Sequence, residues 1–170
     1  MNELERHIRD IPDFPKPGIV FKDITPLLAD GTALKLAVDG LIAPYRGKVD
    51  VVLGIESRGF ILGAAAAYAL GTGLAIVRKP GKLPYRKLST TYQLEYGTDT
   101  LEIHEDAIGG HHRVLLVDDL LATGGTAVAA IDLVERCGGS VTACAFVVEL
   151  GFLEGRSRLN GYEVHALVRY

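Results

Sequence analysis

Two adjacent carboxylates followed at once by small, hydroxyl-bearing residues single out 114–126, VLLVDDLLATGGT, as a stretch able to do chemistry. Asp118 and Asp119 close an apolar run, so they emerge where a buried strand leaves the core. Carboxylates this close repel unless a cation or hydrogen-bond donors accompany them. The vicinal hydroxyls of a ribose are suitable donors, and a divalent metal nearby would ease the repulsion. Ala122, Thr123, Gly124, Gly125 and Thr126 lead straight into a helical pattern. Small side chains there leave backbone N–H groups open at a helix N-terminus, which is an anion site suited to a phosphate. Sugar at the acids and phosphate at the turn together make a ribose 5-phosphate site. Each half alone also fits a bland role, a solvated strand end or a helix-entry turn, and it is their adjacency that favours function. Neither G-x-x-x-x-G-K-[ST] nor G-x-G-x-x-G occurs.

Three further stretches carry candidate groups. In GIESRGF, 54–60, Glu56, Ser57, Arg58 and Gly59 make a tight turn with backbone amides and one guanidinium, a good holder for a pyrophosphate. The alternative is a surface pair between that arginine and Glu56. In RKPGKLPYRK, 78–87, the cations Arg78, Lys79, Lys82, Arg86 and Lys87 surround Pro80, Gly81 and Pro84. Such a run is usually a solvated face, yet after a strand end it could neutralise a departing anion from a loop that closes over substrate. Near the start, Phe21 offers a face for a flat base, or is simply a core residue of an apolar IVF strand. His111 and His112 are adjacent, would face opposite ways on a strand, and read as a solvated turn rather than joint metal ligands.

The elements that must position these groups follow from the hydrophobic pattern. Residues 49–55, 74–79, 113–119 and 141–150 read as strands, the third and the first as buried ones, and 59–70 and 125–137 as helices, the second closed by Gly138 and Gly139. YQLEY and TLEIH alternate like an exposed antiparallel pair joined by Gly97. The first forty-odd residues, punctuated by Pro12, Pro15, Pro17 and Pro26, read as irregular, with short strands and turns but no long helix, a hood laid on the core. Strand, helix, strand, twice over, implies an α/β fold with a mainly parallel sheet and helices on its faces. Ligands then bind beyond the carboxyl ends of strands, at the loops after Ile55, Lys79, Asp119 and Leu150.

The 170 residues fit one domain, 48% hydrophobic and 23% charged, which is a globular composition. A formal net charge of −3 gives no basic field for nucleic acid but leaves a small anionic ligand open. Cys137 and Cys144 lack C-x-x-C spacing, and MNELERHIRD has no apolar signal core, which together favour a reducing cytoplasm. Residues 59–77 carry no charge over a length near the roughly 20 residues of a membrane span. The Gly71-Thr-Gly73 interruption and the alanine run read better as helix, turn and strand.

VLLVDDLLATGGT resembles the phosphoribosyl pyrophosphate (PRPP) motif of type I phosphoribosyltransferases, and DFPKPGIVFKDITPLL, GIESRGFILG, RKPGKLP and LEYG resemble the adenine-specific branch of that family in order and spacing over nearly the whole chain. The resemblance implies the type I phosphoribosyltransferase fold, with the hood and N-terminal helices mainly in 1–45, a core mainly in 46–170 and a flexible catalytic loop over 80–97. It implies transfer of the phosphoribosyl group from PRPP to adenine with Mg²⁺, in a homodimer that binds neither nucleic acid nor membrane. It assigns Asp118, Asp119 and 122–126 to the ribose phosphate, and Glu56, Ser57, Arg58, Gly59, Arg78 and Lys82 to the pyrophosphate. Arg58, Lys82 and Glu95 become the catalytic groups, with Glu95 near the purine N7 and Arg78 reaching a neighbouring subunit's site. Val20, Phe21 and Lys22 become the adenine-reading strand and Leu150 an apolar wall. The loop at Glu56 often carries a non-proline cis peptide in that family. Many relatives have Arg in place of Lys22. A 6-oxopurine or xanthine transferase, or a PRPP-sensing regulator, are the rival readings.

Overall fold

A computed structural model describes residues 3–93 and 97–170. A 3-10 turn, Glu3–His7, precedes a two-stranded antiparallel ladder of β1 (Arg9–Pro12) and β2 (Val20–Asp23), then helices α1 (Thr25–Ala29) and α2 (Gly31–Ile42). The core follows as β3 (Val51–Ile55), α3 (Arg58–Leu70), β4 (Gly73–Val77), β5 (Lys87–Gln93), β6 (Thr98–His104), β7 (Arg113–Leu121), α4 (Gly125–Arg136), β8 (Ser140–Glu149) and β9 (Glu163–Arg169). Two 3-10 turns, Gly151–Leu153 and Gly155–Leu159, join β8 to β9.

Five strands form a parallel sheet in the order β4-β3-β7-β8-β9. Side-chain alternation splits its residues between two cores. Val52, Leu115, Val117 and Ala145 pack with α2 and α3 on one face. Leu53, Val114, Leu116 and Phe146 pack with α4 on the other. Because α3 and α4 lie on opposite faces, the chain reverses its winding between β3 and β7, and a crevice opens there at the strands' carboxyl ends.

The parallel sheet and its two helices match the sequence expectation, and the charge-free stretch 59–77 is helix, turn and strand; no helix among the described residues is long and apolar enough to cross a membrane. Four departures have physical causes. First, residues 31–42 are a three-turn helix rather than irregular chain: Asp30 caps it by accepting from Thr32 N (2.9 Å) and Ala33 N (2.8 Å), and Ala33, Ala37, Val38 and Leu41 are buried at helical spacing. Second, β7 continues past Asp119 to Leu121, because β8 keeps pairing with it through Leu121↔Glu149. Third, β5 starts at Lys87, so only part of 80–97 is loop. The pair it forms with β6 is not simply exposed, since Tyr92, Leu101 and Ile103 are buried in the core that holds α4. Fourth, β9 was not expected; it adds to β8 at the sheet edge.

Leu115 lies in β7 with no exposed surface. Leu115→Ala should lower unfolding free energy by about 2–5 kcal/mol through lost burial and a residual cavity, read by urea denaturation.

Candidate active site

β3 pairs with β7 only as far as Gly54↔Val117. Asp118 and Asp119 are the next residues of β7, still held by β8 on one side (Asp118↔Phe146) but past the last β3 partner on the other. That offset, rather than the end of a strand, sets the carboxylates at the crevice. The Asp119 N–H donates to Asp118 Oδ1 at 2.9 Å, and Asp119, 7% exposed, takes the Arg58 guanidinium in an ion pair. Burial and the neighbouring Asp119 push the Asp118 carboxyl well above the usual carboxylate range. Gly59 makes room for that carboxyl, since a Cβ there would stand 2.8 Å from Asp118 Oδ1.

After Leu121 the chain turns into α4 through Gly124, in the left-handed region at φ 82°. No side chain caps α4, so its first amides remain open toward a cavity of about 210 Å³ lined by Arg58, Asp118, Asp119, Thr123, Gly124 and Thr126. The turn's shape depends on Gly155 behind it. A Cβ on Gly124 would lie 2.6 Å from Gly155 O, and one on Gly155 would fall inside the Ala122 carbonyl. Arg158 donates to Thr123 O at 3.4 Å, and the Thr126 hydroxyl donates to Tyr92 OH at 3.2 Å. Gly155, Arg158 and Tyr92 carry no signal in the sequence, because they reach the turn from distant segments, the first two from the Gly155–Leu159 turn and the third from β5.

The loop after β3 holds a cis peptide between Glu56 and Ser57. Glu56 does not pair with Arg58. Its carboxylate accepts from Lys79 N (3.0 Å), Arg78 Nε (3.3 Å) and Lys82 Nζ. Burial alone would raise the carboxyl, but these donors, Lys82 foremost, hold it at about 2, so it stays ionised. Glu56 therefore gathers the Arg78 and Lys82 side chains and the Lys79 N–H at the turn after β3. The basic run is likewise not a solvated face. Lys79 pairs with Asp99, and Lys87 with Glu102 at 2.8 Å.

β2 flanks a second cavity, about 410 Å³, lined by Val20, Phe21, Leu120, Ala122, Leu150 and Leu153 among others. It shares Leu120, Ala122 and Thr123 with the first cavity. A flat apolar group and a sugar phosphate can thus lie end to end across 120–123. Phe21 meets Phe14 edge-on at 5.3 Å, and the Arg58 guanidinium lies 5.4 Å from the Phe21 ring centre. The Lys22 side chain does not line this cavity; it turns to Asp10 at 2.6 Å. Glu95 lies outside the described residues. His111 has φ 72° and His112 Nδ1 accepts from Gly109 N at 3.1 Å, a local turn as expected.

The model of the phosphoribosyl transferase domain matches residues 26–164. The adenine phosphoribosyltransferase of Syntrophotalea carbinolica is 58% identical over 100% of both chains, and that of Solibacter usitatus 60% identical over 100% of this chain and 99% of its own. The crystal structure of adenine phosphoribosyltransferase from Thermoanaerobacter pseudethanolicus, 52% identical, superposes with a TM-score of 0.96 over 99% of this chain and 98% of that one. The Saccharomyces cerevisiae enzyme, solved with adenine and an imino-altritol bisphosphate, is 40% identical with a TM-score of 0.92 over 97% of this chain and 96% of that one.

A carboxyl whose folded pKa is raised binds its proton more tightly in the fold than in the unfolded chain. Stability is then greatest below the ordinary carboxylate range and falls as pH rises toward the folded pKa. Asp118→Asn removes that loss while keeping an acceptor for Asp119 N. The variant should melt higher than the parent at pH 7 and match it near pH 3, read by thermal unfolding across pH.

Proposed function

The chain belongs to the phosphoribosyltransferase family, and on that premise we infer that it transfers the 5-phosphoribosyl group of PRPP to adenine, giving AMP and pyrophosphate in purine salvage. The observation that carries the reading is the wall shared at Leu120, Ala122 and Thr123, which sets an apolar slot beside an amide-rimmed cavity lined by two carboxylates.

In the reaction the bond from the anomeric carbon to pyrophosphate oxygen breaks, purine N9 bonds to that carbon, and the N9 proton leaves. Asp118 and Asp119 hold the ribose hydroxyls and steady the positive charge that develops on the sugar. Residues 122–126 anchor the 5-phosphate, so binding far from the bond being broken fixes the reacting carbon. Arg58 and Lys82 stabilise the leaving charge, aided by the amides of the Ser57 turn. Both are tied to carboxylates in the free protein, Arg58 to Asp119 and Lys82 to Glu56, so pyrophosphate binds by exchange of partners. Arg78, also on Glu56, joins the same set. Magnesium fits this site as a companion of the substrate: Asp118 and Asp119 are hard oxygen donors sharing one guanidinium, and added positive charge relieves their repulsion. When bound it supplies charge to the leaving pyrophosphate.

The purine stacks on Phe21 against Leu150, while backbone groups of Val20 and Lys22 read its edge. A carbonyl there accepts from the 6-amino group of adenine but opposes the oxygen of a 6-oxopurine. Glu95 interacts at N7 and steers loss of the N9 proton. We also place a second copy of the chain against α3, where Ile61 and Tyr68, seven residues apart on one helix face, are 50% and 91% exposed. The thiols of Cys137 and Cys144 are free, which suits a cytoplasmic setting.

Purified protein given PRPP, Mg²⁺ and each of adenine, hypoxanthine, guanine and xanthine should form AMP alone. An oxopurine nucleotide would overturn the base reading, and PRPP binding without product would make the protein a sensor. Glu95→Gln should lower kcat by about 10²-fold or more, the scale of general acid–base help, with KM for PRPP little changed; an unchanged rate with chemistry limiting would remove Glu95 from the mechanism.

A further inference from the structure

Among the described residues β2, the strand with the base-reading backbone, pairs as a strand with β1 alone and is not part of the main sheet. Its first residue, Val20, is 48% exposed, and open volume lies on both sides of that end. On one side is the base slot; on the other is a cavity of about 420 Å³ reached by Asp10, Lys22, Phe152 and Tyr170. At its far end Asp23 is buried and bonded to Arg9 and Thr25, so the contacts that set how far the Val20 end stands from Leu150 lie elsewhere.

Lys22 is in position to do so. Its ammonium sits 2.6 Å from Asp10 Oδ1, the residue paired with it across the β1–β2 ladder, and 3.7 Å from the centre of the Tyr170 ring. Its side chain is 11% exposed, so the stem is fixed. Tyr170 in turn brackets the opposite wall of the slot: its N–H donates to Glu149 O at 3.0 Å and its carbonyl accepts from Gly151 N at 2.8 Å, on either side of Leu150. One cation thus joins the wall that reads the base edge to the wall that covers its face.

We propose that Lys22, held by Asp10 against the Tyr170 ring, is a positioning residue that sets the width of the base slot and so the affinity for adenine. The inference rests on the adenine reading above. Its contact is a cation on an aromatic face, partly withdrawn from water, which is strong enough to shift an affinity and too weak to decide folding. The side chain acts without touching the base.

Steady-state kinetics on the full chain test this with Lys22→Met, Tyr170→Leu and the double variant, alongside the conservative Lys22→Arg and Tyr170→Phe. Each of the first two should raise KM for adenine by about five- to tenfold, within the range of such contacts, with kcat and KM for PRPP within about twofold. The double variant should be no worse than either single one, since both remove one interaction. Lys22→Arg and Tyr170→Phe, which keep a cation and a ring face, should bind adenine more tightly than Lys22→Met and Tyr170→Leu. The proposal is overturned if KM for adenine is unmoved, if KM for PRPP rises in parallel, if the two losses add, or if Tyr170→Phe matches Tyr170→Leu. Absence of AMP from the unaltered protein would instead overturn the adenine reading, and the proposal with it.

Discussion

Everything at the site depends on β7 outrunning β3. A parallel strand with neighbours on both sides must be apolar, because its side chains meet helices on both faces. Residues 114–117 obey that rule, and the rule ends where β3 ends. Past that point β7 keeps one hydrogen-bonded neighbour and gains an open flank, so it can carry Asp118 and Asp119 at the edge of the core. The same geometry makes them costly. The fold accepts at Asp118 a carboxyl that burial and the neighbouring Asp119 make reluctant to ionise.

The surrounding charges are paired: Arg58 with Asp119, and Arg78 and Lys82 with Glu56. A cation already held beside the site loses little further freedom when an anionic group replaces its carboxylate partner. Glu56, kept ionised by its donors, can hold Arg78 and Lys82 close without the protein having to bury unpaired positive charge. A turn whose acid and arginine look in sequence like a local pair instead sends Glu56 to Arg78 and Lys82 and Arg58 to Asp119.

Segments distant in the chain brace this centre from outside. Gly155 presses against Ala122 and Gly124, and Tyr92 of β5 meets Thr126, so the phosphate turn is shaped by the β8–β9 connection and by the β5–β6 arm together. The arm is joined to the end of β4 by paired backbone hydrogen bonds between Arg78 and Glu102, 2.9 and 2.8 Å, which places the basic run between sheet and arm. The base slot is closed by the β1–β2 ladder, whose ties to the core are side chains: Phe21 near Arg58, and Lys22 on Tyr170.

Local pattern in the chain already specifies the βαβ units, the acid pair and the open helix start. These follow from residue type and short-range period, which act within a few neighbours. It also held signals that went unread, the Asp30 cap and the helical spacing of Ala33, Ala37 and Leu41 among them. Partner choice could not be read that way. That Arg58 takes Asp119 and not Glu56, that Lys22 turns from the base slot to Asp10 and Tyr170, and that Gly155 must lack a side chain all depend on register between segments tens to more than a hundred residues apart. Ion pairs and close backbone contacts act over a few ångströms, and such distances exist only once the sheet has set which strand outruns which.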